Sequence, residues 1–282
     1  MNKTIVVTGC DTNHDLLAAE LLASLQADAA RAYDIGFIRV GAVSLPDRIA
    51  AMADHSVEIG GVTLIKPGEG FQLAHEAIKA RLPECFPGYD TYVWLDADTW
   101  VQNPIGLAHI IETASLADIS IHSQSDPNYF TCVAPDDYTL SVYTVMFGDE
   151  DRLEFGRYPM VNSGVFGARA RSPLWDAWKT ALWEARQRLA GREVKFFSDQ
   201  IPLHRLIYSG AITMHPLRAV NNWLVLHSLP RLDWGSRQLT APSFPYEPIN
   251  ILHLIGASKW QTYPLDGQQI SLRYNAFKAL FR

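Results

Sequence analysis

The stretch that decides the fold of this chain is Tyr92-Val93-Trp94-Leu95-Asp96-Ala97-Asp98-Thr99-Trp100. Four apolar residues that favour extended structure run directly into two aspartates separated by one residue. A short apolar run bounded by polar residues is typical of a strand that is buried on both faces. Side chains two positions apart on an extended chain point the same way, so this DxD motif presents two carboxylates on one side of a central strand's end.

Two carboxylates held close together favour a divalent cation. They repel each other by about 4 kcal/mol at contact for an effective dielectric near 20, and hard cations prefer such oxygen ligands. In open α/β sheets, the carboxyl ends of the strands are also where ligands bind. The motif alone is equally compatible with a strand end whose aspartates cap a helix. Asp149-Glu150-Asp151 has the same spacing without a buried strand before it, and we interpret it as a solvated turn.

The first hundred residues alternate between strand and helix patterns. Strands are predicted at 4–8, 34–43, 57–65 and 92–95, and helices at 14–30, 45–53 and 73–82, the last ended by Pro83. This alternation is typical of an α/β fold with a Rossmann-like, mostly parallel sheet and helices on both faces. The turn after the first strand and the Asp96 turn would then share one edge, with a nucleotide between them. A GxGxxG fingerprint and a P-loop are both absent from the sequence.

The second half contains three more elements of interest. A strand is predicted at 161–167, a helix opens at Ser172-Pro173, and Ser198 caps a helix at 199–209. Asp199 and Gln200 fall in the first turn of that last helix, where an acid is also favourable without any function. The aromatic and acidic segment 126–158 breaks the pattern, and it either binds an acceptor, forms a lid or simply covers the core. His204 is interpreted as a packing or capping residue.

The stretch 250–260 contains a histidine and a lysine that are candidate site residues. His253 lies in an apolar strand, and a turn at Gly256 then presents Lys259. Taken alone, His253 is a core histidine and Lys259 a solvated loop lysine. Beside two carboxylates, an imidazole shifts the preferred metal from Mg²⁺ toward Mn²⁺, and a lysine can reach a phosphate as a point charge.

Composition limits the range of functions and locations. The 282 residues carry a net charge of -6 without a basic patch, which excludes nucleic acid as a partner. Three cysteines without CxxC spacing predict neither a zinc site nor a disulfide framework, and they favour a reducing cytoplasm. The N-terminus carries no long apolar leader segment. The apolar and basic segment 271–282 either docks on the sheet or makes at most a peripheral membrane contact.

Four motifs occur in order and with sensible spacing: Leu95-Asp96-Ala97-Asp98, Asn162-Ser163-Gly164-Val165-Phe166, Ser198-Asp199-Gln200 and His253-Leu254-Ile255-Gly256-Ala257-Ser258-Lys259-Trp260. Together they resemble the family 8 glycosyltransferases, the glycogenin-like and bacterial lipopolysaccharide galactosyl- or glucosyltransferase-like enzymes of the GT-A fold. The resemblance spans nearly the whole chain. Two departures leave the donor sugar and the subfamily open: Lys259-Trp260 lacks an intervening proline, and Ile201 stands where a second aspartate is often found.

The resemblance implies a single GT-A domain over 1–282, with a nucleotide-binding half at 1–125 and an acceptor and catalytic half at 126–282. It implies a metal site for Mn²⁺ (or Mg²⁺) at Asp96, Asp98 and His253. It places the nucleotide at Thr8, Gly9 and Asp11, and it implies that the metal bridges Asp96 and Asp98 to a diphosphate beneath Gly256 and Lys259. It also implies that Asn162 faces the donor sugar or the acceptor, and that Asp199 and Gln200 lie beneath the anomeric carbon.

The expected function is therefore transfer of a sugar from a nucleotide-diphosphate sugar, usually a UDP-sugar, to an acceptor hydroxyl with retention. The acceptor is a saccharide, a lipid-linked molecule or a protein. One alternative is a sugar-nucleotide nucleotidyltransferase, although the turn Gly9-Cys10-Asp11-Thr12-Asn13 lacks the basic residue such enzymes normally carry. The other is a non-catalytic nucleotide- or carbohydrate-binding protein on the same scaffold, against which the intact set of candidate ligands argues.

Overall fold

A computed structural model of the protein describes residues 2–41, 43–60, 78–129, 136–189 and 198–282. Its strands are β1 (Thr4–Cys10), β2 (Asp34–Val40), β3 (His55–Ile59), β4 (Thr91–Leu95), β5 (Thr99–Val101), β6 (Ile119–Ser123), β7 (Val161–Arg169), β8 (Met214–Leu217), β9 (Trp223–Leu224), β10 (Arg231–Asp233), β11 (Gln238–Thr240), β12 (Ile251–His253), β13 (Thr262–Leu265) and β14 (Gln268–Ser271). Its α-helices are α1 (Asp15–Gln26), α2 (Asp47–Ala50), α3 (Leu82–Cys85), α4 (Ile105–Thr113), α5 (Asp137–Phe147), α6 (Asp149–Phe155), α7 (Leu174–Leu189), α8 (Gln200–Tyr208) and α9 (Tyr274–Ala279).

A seven-stranded sheet forms the centre of the molecule, in the order β3-β2-β1-β4-β7-β6-β8. β7 runs antiparallel to both of its neighbours, and the other pairs in this sheet are parallel. The predicted α/β class with a mostly parallel sheet is therefore confirmed. Every residue of β4 is buried, as its continuous apolar run predicts.

Helices cover both faces of this sheet. Alternate side chains of a strand point to opposite faces. Accordingly, Val6 packs in a cluster with residues of α1 and α4, whereas its neighbour Ile5 belongs to the core that holds α5, α7 and α8. The buried Trp178 on α7 anchors that second core through ring contacts with Phe166, 5.6 Å apart between centroids.

The segment predicted as irregular, 126–158, is partly helical, so that expectation was wrong for α5 and α6. Val142, Tyr143, Met146 and Phe147 are buried at helical spacing on α5. The acidic stretch beginning at Asp149 forms the first turn of α6, where carboxylates are favourable, and is no isolated turn.

The other elements predicted in the first hundred residues are present where the structure describes them, but several of their bounds differ. β2 ends at Val40 and not at 43, α1 ends at Gln26 and not at 30, α2 covers only Asp47–Ala50 of the predicted 45–53, and β3 runs from His55 to Ile59. The structure describes the predicted strand 57–65 only as far as 60 and the predicted helix 73–82 only from 78, and the rest lies outside the described residues. Pro83 does not end a helix, because it lies in the first turn of α3, where its missing N–H costs nothing.

β7 carries a bulge next to the end of β4. On β6, the consecutive residues Ile121 and His122 pair with Phe166 and Asn162, so the three β7 residues between those partners have no partner on β6. Leu95 is the last β4 residue in register with β7, opposite Val165. Ser163 and Gly164 therefore lie near the end of the central sheet, and neither residue has a ladder partner on β4 or on β6.

A small sheet, β5-β12-β9, brings the late part of the chain to the end of β4. β12 pairs antiparallel with β5 and sets His253 opposite Thr99. Helix α9 packs behind this sheet, with the rings of Tyr274 and Phe277 each 5.6 Å from the ring of Trp100. The apolar face of the C-terminal segment is therefore docked on the protein. Among the described residues, no helix has the length and apolar character that a membrane span requires.

Candidate active site

Two acids and a histidine meet where β4 and β12 end. Asp96, Asp98 and His253 each place one ligand atom within 4.8 Å of the others. The tight turn after β4 is held by main-chain bonds, Asp96 N–H to the carbonyl of Gly164 at 2.7 Å and Thr99 N–H to the carbonyl of Asp96 at 2.9 Å. The turn aims both carboxylates at the strand that carries His253. The predicted metal-ligand set is thus brought together in space.

The orientation of His253 suits a metal ligand. Its Nδ1 lies 2.9 Å from the amide oxygen Oδ1 of Asn222, which only accepts, so Nδ1 carries the proton. Nε2 then presents a lone pair 3.2 Å from Oδ1 of Asp98. Two such atoms at this separation need either a shared proton or a metal ion between them, and an outer partner that fixes the ring is usual for metal-binding histidines. The donor set therefore fits a divalent cation.

The two carboxylates differ in what else they contact. Oδ1 of Asp96 accepts from Nε1 of Trp94 at 2.7 Å and pairs with Nζ of Lys79 at 2.9 Å. That leaves Oδ2 of Asp96 as its free ligand atom. Asp98 pairs through Oδ2 with Nζ of Lys259 at 2.9 Å.

Both acids are ionised at neutral pH. Burial would raise the pKa of Asp98, but His253 and Lys259 outweigh burial and hold this pKa below its ordinary value. Burial would likewise raise the pKa of Asp96, and the ammonium of Lys79 outweighs burial together with the repulsion from Asp98. Two charged oxygen ligands are therefore ready for a cation.

Gly164 leaves the space in which these groups meet. A Cβ atom at this position would lie 2.2 Å from Cε1 of His253 and 2.8 Å from Oδ2 of Asp96. Both distances are far below van der Waals contact, and neither neighbour is the tip of a long flexible side chain. A side chain at position 164 is thus incompatible with the observed ligand geometry.

Lys79 is a central residue of the site that the sequence does not reveal. Its side chain is buried, and Nζ lies 3.1 Å from Oδ2 of Asp199 and 3.3 Å from the carbonyl of Ser163, besides its contact with Asp96. Burial alone would lower the pKa of Lys79, but the carboxylates of Asp199 and Asp96 together raise it, so the ammonium stays charged. In the sequence, Lys79 could have been noticed as a single lysine between Ile78 and Ala80, within the apolar stripe of a predicted helix.

Asp199 and Gln200 lie at the start of α8, as predicted. The N-cap of this helix is Asp199 and not the predicted Ser198, although Oγ of Ser198 accepts from the N–H of Gln200 at 3.2 Å just before the helix. Asp199 accepts from Oγ of Ser163 at 3.1 Å, and Oε1 of Gln200 accepts from the N–H of Ser163 at 3.3 Å. His204, further along α8, is buried in the core, where a packing role was expected.

A cavity of about 400 Å³ opens beside the acids, within the usual size range of small-molecule sites. Of the predicted site residues, it is lined by Gly9, Asp96, Asp98, Asp199, Gln200 and Lys259. Lys79, Ser163 and the first turns of α5 also line the cavity. The segment that was predicted to be irregular thus faces the cavity through a helix.

The other predicted site residues lie around the cavity and not on its described wall. Thr8 is fully buried in β1, and Asp11 caps the following short helix by accepting from the N–H of Asn13 at 3.0 Å. Oδ1 of Asn162 accepts from Nδ2 of Asn222 at 2.9 Å, behind His253. Gly256 has a φ of 57°, a conformation that favours glycine, at the start of the turn to Lys259.

Comparisons with known proteins agree on the fold. No family model and no curated protein sequence matches the chain. Among solved structures, galactosyltransferase LgtC in complex with donor and acceptor sugar analogs is 14% identical with a TM-score of 0.55, covering 98% of this chain and 94% of that one. The bifunctional glycosyltransferase WbbM is 16% identical with a TM-score of 0.58, covering 98% and 49%. Mouse xyloside xylosyltransferase 1 is 14% identical with a TM-score of 0.53, covering 89% and 97%.

These identities are low, so the likeness shows a shared fold. The chain has the mixed α/β architecture of these glycosyltransferases over almost its full described length. Membership of family 8 and the roles of the site residues stay predictions.

Proposed function

We propose that this protein is a metal-dependent glycosyltransferase. It moves a sugar from a nucleotide-diphosphate sugar, preferably a UDP-sugar, to an acceptor hydroxyl with retention of configuration. One observation carries the proposal: Asp96, Asp98 and His253 converge at the edge of a cavity whose wall also holds Lys79, Asp199, Gln200 and Lys259. The fold shared with known glycosyltransferases supports the reaction class.

The metal site suits Mn²⁺ or Mg²⁺, with the imidazole favouring Mn²⁺. Oδ2 of Asp96, a carboxylate oxygen of Asp98 and Nε2 of His253 would hold the ion. When bound, the ion supplies Lewis acidity that neutralises charge on the diphosphate leaving group.

The protein's own residues would bind and orient the donor. The turn after β1, with Thr8, Gly9 and Asp11, would hold the nucleotide. Gly256 and Lys259 would close over the diphosphate, where the ammonium adds fixed positive charge to the leaving group. In that arrangement, Lys259 exchanges its contact with Asp98 for the phosphates.

Asp199 and Gln200 would lie beneath the anomeric carbon, and Asn162 would support the sugar side of the site. The acceptor oxygen attacks the anomeric carbon on the face that the leaving phosphate vacates. The glycosidic C–O bond breaks, and the acceptor proton passes to a phosphate oxygen. Asp199 or Gln200 stabilises positive charge on the sugar if the carbon–oxygen bond breaks ahead of the attack.

The acceptor would be a saccharide, a lipid-linked molecule or a protein, and the site residues alone do not select one of these. A peripheral membrane contact would rely on the basic side chains of Lys278 and Arg282, because the apolar face of α9 is already docked. The nucleotide-binding half would be 1–125, and the acceptor and catalytic half 126–282.

A panel of nucleotide sugars tests the proposal. We expect one of them to raise the melting temperature only with Mn²⁺, because a ligand of the folded state adds to its stability. The same donor should then be slowly hydrolysed to a nucleoside diphosphate. Asp98→Asn should abolish both effects, whereas Asp176→Asn on the exposed face of α7 should retain them. Pyrophosphate as product would instead indicate a nucleotidyltransferase, and full activity of Asp98→Asn would refute the metal role.

A further inference from the structure

The bulge of β7 leaves main-chain groups without sheet partners at the heart of the site. Residues 163–165 face no partner on β6, and position 163 lies beyond the last residue of β4. A buried N–H or C=O without a partner costs free energy, so such groups must be paired elsewhere. The N–H and C=O groups of Ser163 and Gly164 are the ones concerned.

All four of these main-chain groups are paired with residues of the site. The N–H of Ser163 donates to Oε1 of Gln200 at 3.3 Å, and its carbonyl accepts from Nζ of Lys79 at 3.3 Å. The N–H of Gly164 donates to Oδ1 of Asn162 at 3.1 Å, and its carbonyl accepts from the N–H of Asp96 at 2.7 Å. Two consecutive residues thus contact four different parts of the site.

The side chain of Ser163 adds a fifth contact, to Asp199. Oγ lies 3.1 Å from Oδ1 of Asp199, while Nζ of Lys79 lies 3.1 Å from Oδ2 of the same carboxylate. A contact at only one oxygen leaves a carboxylate free to rotate about its Cβ–Cγ bond, which is a soft torsion. Contacts at both oxygens fix its plane.

We propose that the Ser163–Gly164 bulge is the positioning element of this site and that the Ser163 hydroxyl sets the orientation of the Asp199 carboxylate. Ser163 acts through Asp199 and touches no reacting atom. Its effect on turnover rests on the proposed function, but its effect on the conformation of Asp199 does not. Bulges are frequent beside active sites, where they redirect side chains and end strand pairing.

Ser163→Ala separates the hydroxyl from the main-chain contacts. The variant keeps the N–H and C=O that hold Gln200 and Lys79, and it loses only the bond to Asp199. In crystal structures of the wild type and the variant, we expect the Asp199 carboxylate to rotate or to adopt two orientations. Gln200 and Lys79 should stay in place. An Asp199 carboxylate unchanged in the variant would overturn the proposal, whether or not a donor is ever found.

Kinetics then tests the consequence for turnover. We expect Ser163→Ala to lower kcat by 10- to 100-fold, with the donor KM changed less than threefold and Mn²⁺ affinity unchanged. In an Asp199→Asn background, the same change should lower kcat by less than twofold, because contacts that act as a unit are not additive. Ser115→Ala, at an exposed position two residues after the end of α4, serves as the control.

Multiplicative losses in the double variant would show that Ser163 acts independently of Asp199 and would overturn the inference. A wild-type protein that turns over no nucleotide sugar would contradict the proposed function, while the crystal structures still decide the positioning role.

Discussion

Lys79 balances two carboxylates that belong to different parts of the site. One is the candidate metal ligand Asp96 and the other is Asp199 at the start of α8. Buried charges are tolerated only when they are paired and hydrogen-bonded, and this ammonium has three acceptors around it. Its pairing with Asp96 helps to hold the pKa of that carboxyl below its ordinary value against the effect of burial.

Removing this cation should destabilise the protein and change its response to metal. Lys79→Met leaves two buried carboxylates without their partner, which costs about 3–5 kcal/mol of unfolding free energy. A divalent cation can replace part of the lost charge, so Mn²⁺ should stabilise the variant more than the wild type. Urea unfolding with and without Mn²⁺ measures both effects. The control, Lys179→Met, removes a partly exposed lysine, and an equal loss there would contradict the prediction.

Gly164 makes a second prediction at the residue scale. Gly164→Ala introduces a Cβ 2.2 Å from His253 and 2.8 Å from Asp96, so the ligands must move apart. Overpacking of this kind costs about 1–3 kcal/mol, and we expect the folded variant to lose at least tenfold in Mn²⁺ affinity. Electron paramagnetic resonance titration measures that affinity directly. Gly60→Ala is the matched control, because a Cβ there meets nothing within 4 Å.

The proximity of Asp96, Asp98 and His253 was predicted from sequence, and their ligand atoms do lie together. The two aspartates were predicted from the buried strand before them, since ligands bind at the carboxyl ends of such strands, whereas His253 was assigned through the resemblance. Lys79 was missed because its partners come from distant segments and its own surroundings read as an ordinary helix. The hydroxyl of Ser163 was missed for the same reason, since its target is fixed only when α8 packs beside β7.

At the level of elements, strands were easier to predict than the helices that wall the cavity. β1, β2 and β4 are rich in apolar residues that favour strands, and strands are found at the predicted places. Helices α5 and α6 were read as irregular because aromatic residues favour strands as much as helices. The buried residues of α5 recur at helical spacing, which a stricter test of periodicity would have detected, whereas α6 buries only Phe155.

Two buried histidines on different elements should make the fold sensitive to mild acid. Burial lowers the pKa of His122 on β6 and of His204 on α8 from 6.5 to about 4. Below pH 6.5 these histidines bind protons in the unfolded state, whereas in the folded state they stay neutral until the pH approaches 4. Their contribution to the unfolding free energy is therefore complete above pH 6.5 and is lost as the pH falls toward 4. At pH 5 the loss is about 2 kcal/mol for each histidine.

His204→Gln tests this dependence. The wild-type ring donates from Nε2 to the carbonyl of Tyr158 at 3.4 Å, and glutamine retains a donor without titrating. We expect the decline in unfolding free energy between pH 7 and pH 5 to shrink by about 2 kcal/mol in the variant. Denaturant unfolding at a series of pH values provides the measurement. An identical decline in both proteins would show that His204 is not responsible, and His55→Gln, on exposed β3, is the control.

For the molecule as a whole, the last helix supports the site from behind. Phe277 on α9 is fully buried against Trp100 of β5, and β5 pairs with the strand that carries His253. Arg273, just before α9, pairs with the buried Glu20 of α1 at 2.8 Å. The C-terminal segment thus ties helix α1 to the small sheet whose strand β12 provides the third candidate ligand.

Loss of this support should reduce global stability. Phe277→Ala removes a fully buried ring and should lower the unfolding free energy by about 3–5 kcal/mol. Saturating Mn²⁺ should recover part of the loss, because binding favours the folded state. Thermal melts with and without the ion provide the comparison. Phe244→Ala removes a ring that is 85% exposed and should have little effect; comparable losses in the two variants would contradict this account of α9.

The pairing of β12 with β5 has a consequence for the protein during its synthesis. His253 joins Asp96 and Asp98 only through that pairing, and its strand leaves the ribosome long after the first four strands have emerged. A chain that ends before β12 therefore lacks the third of the three candidate metal ligands. We expect such a fragment to bind Mn²⁺ more weakly than the full chain does.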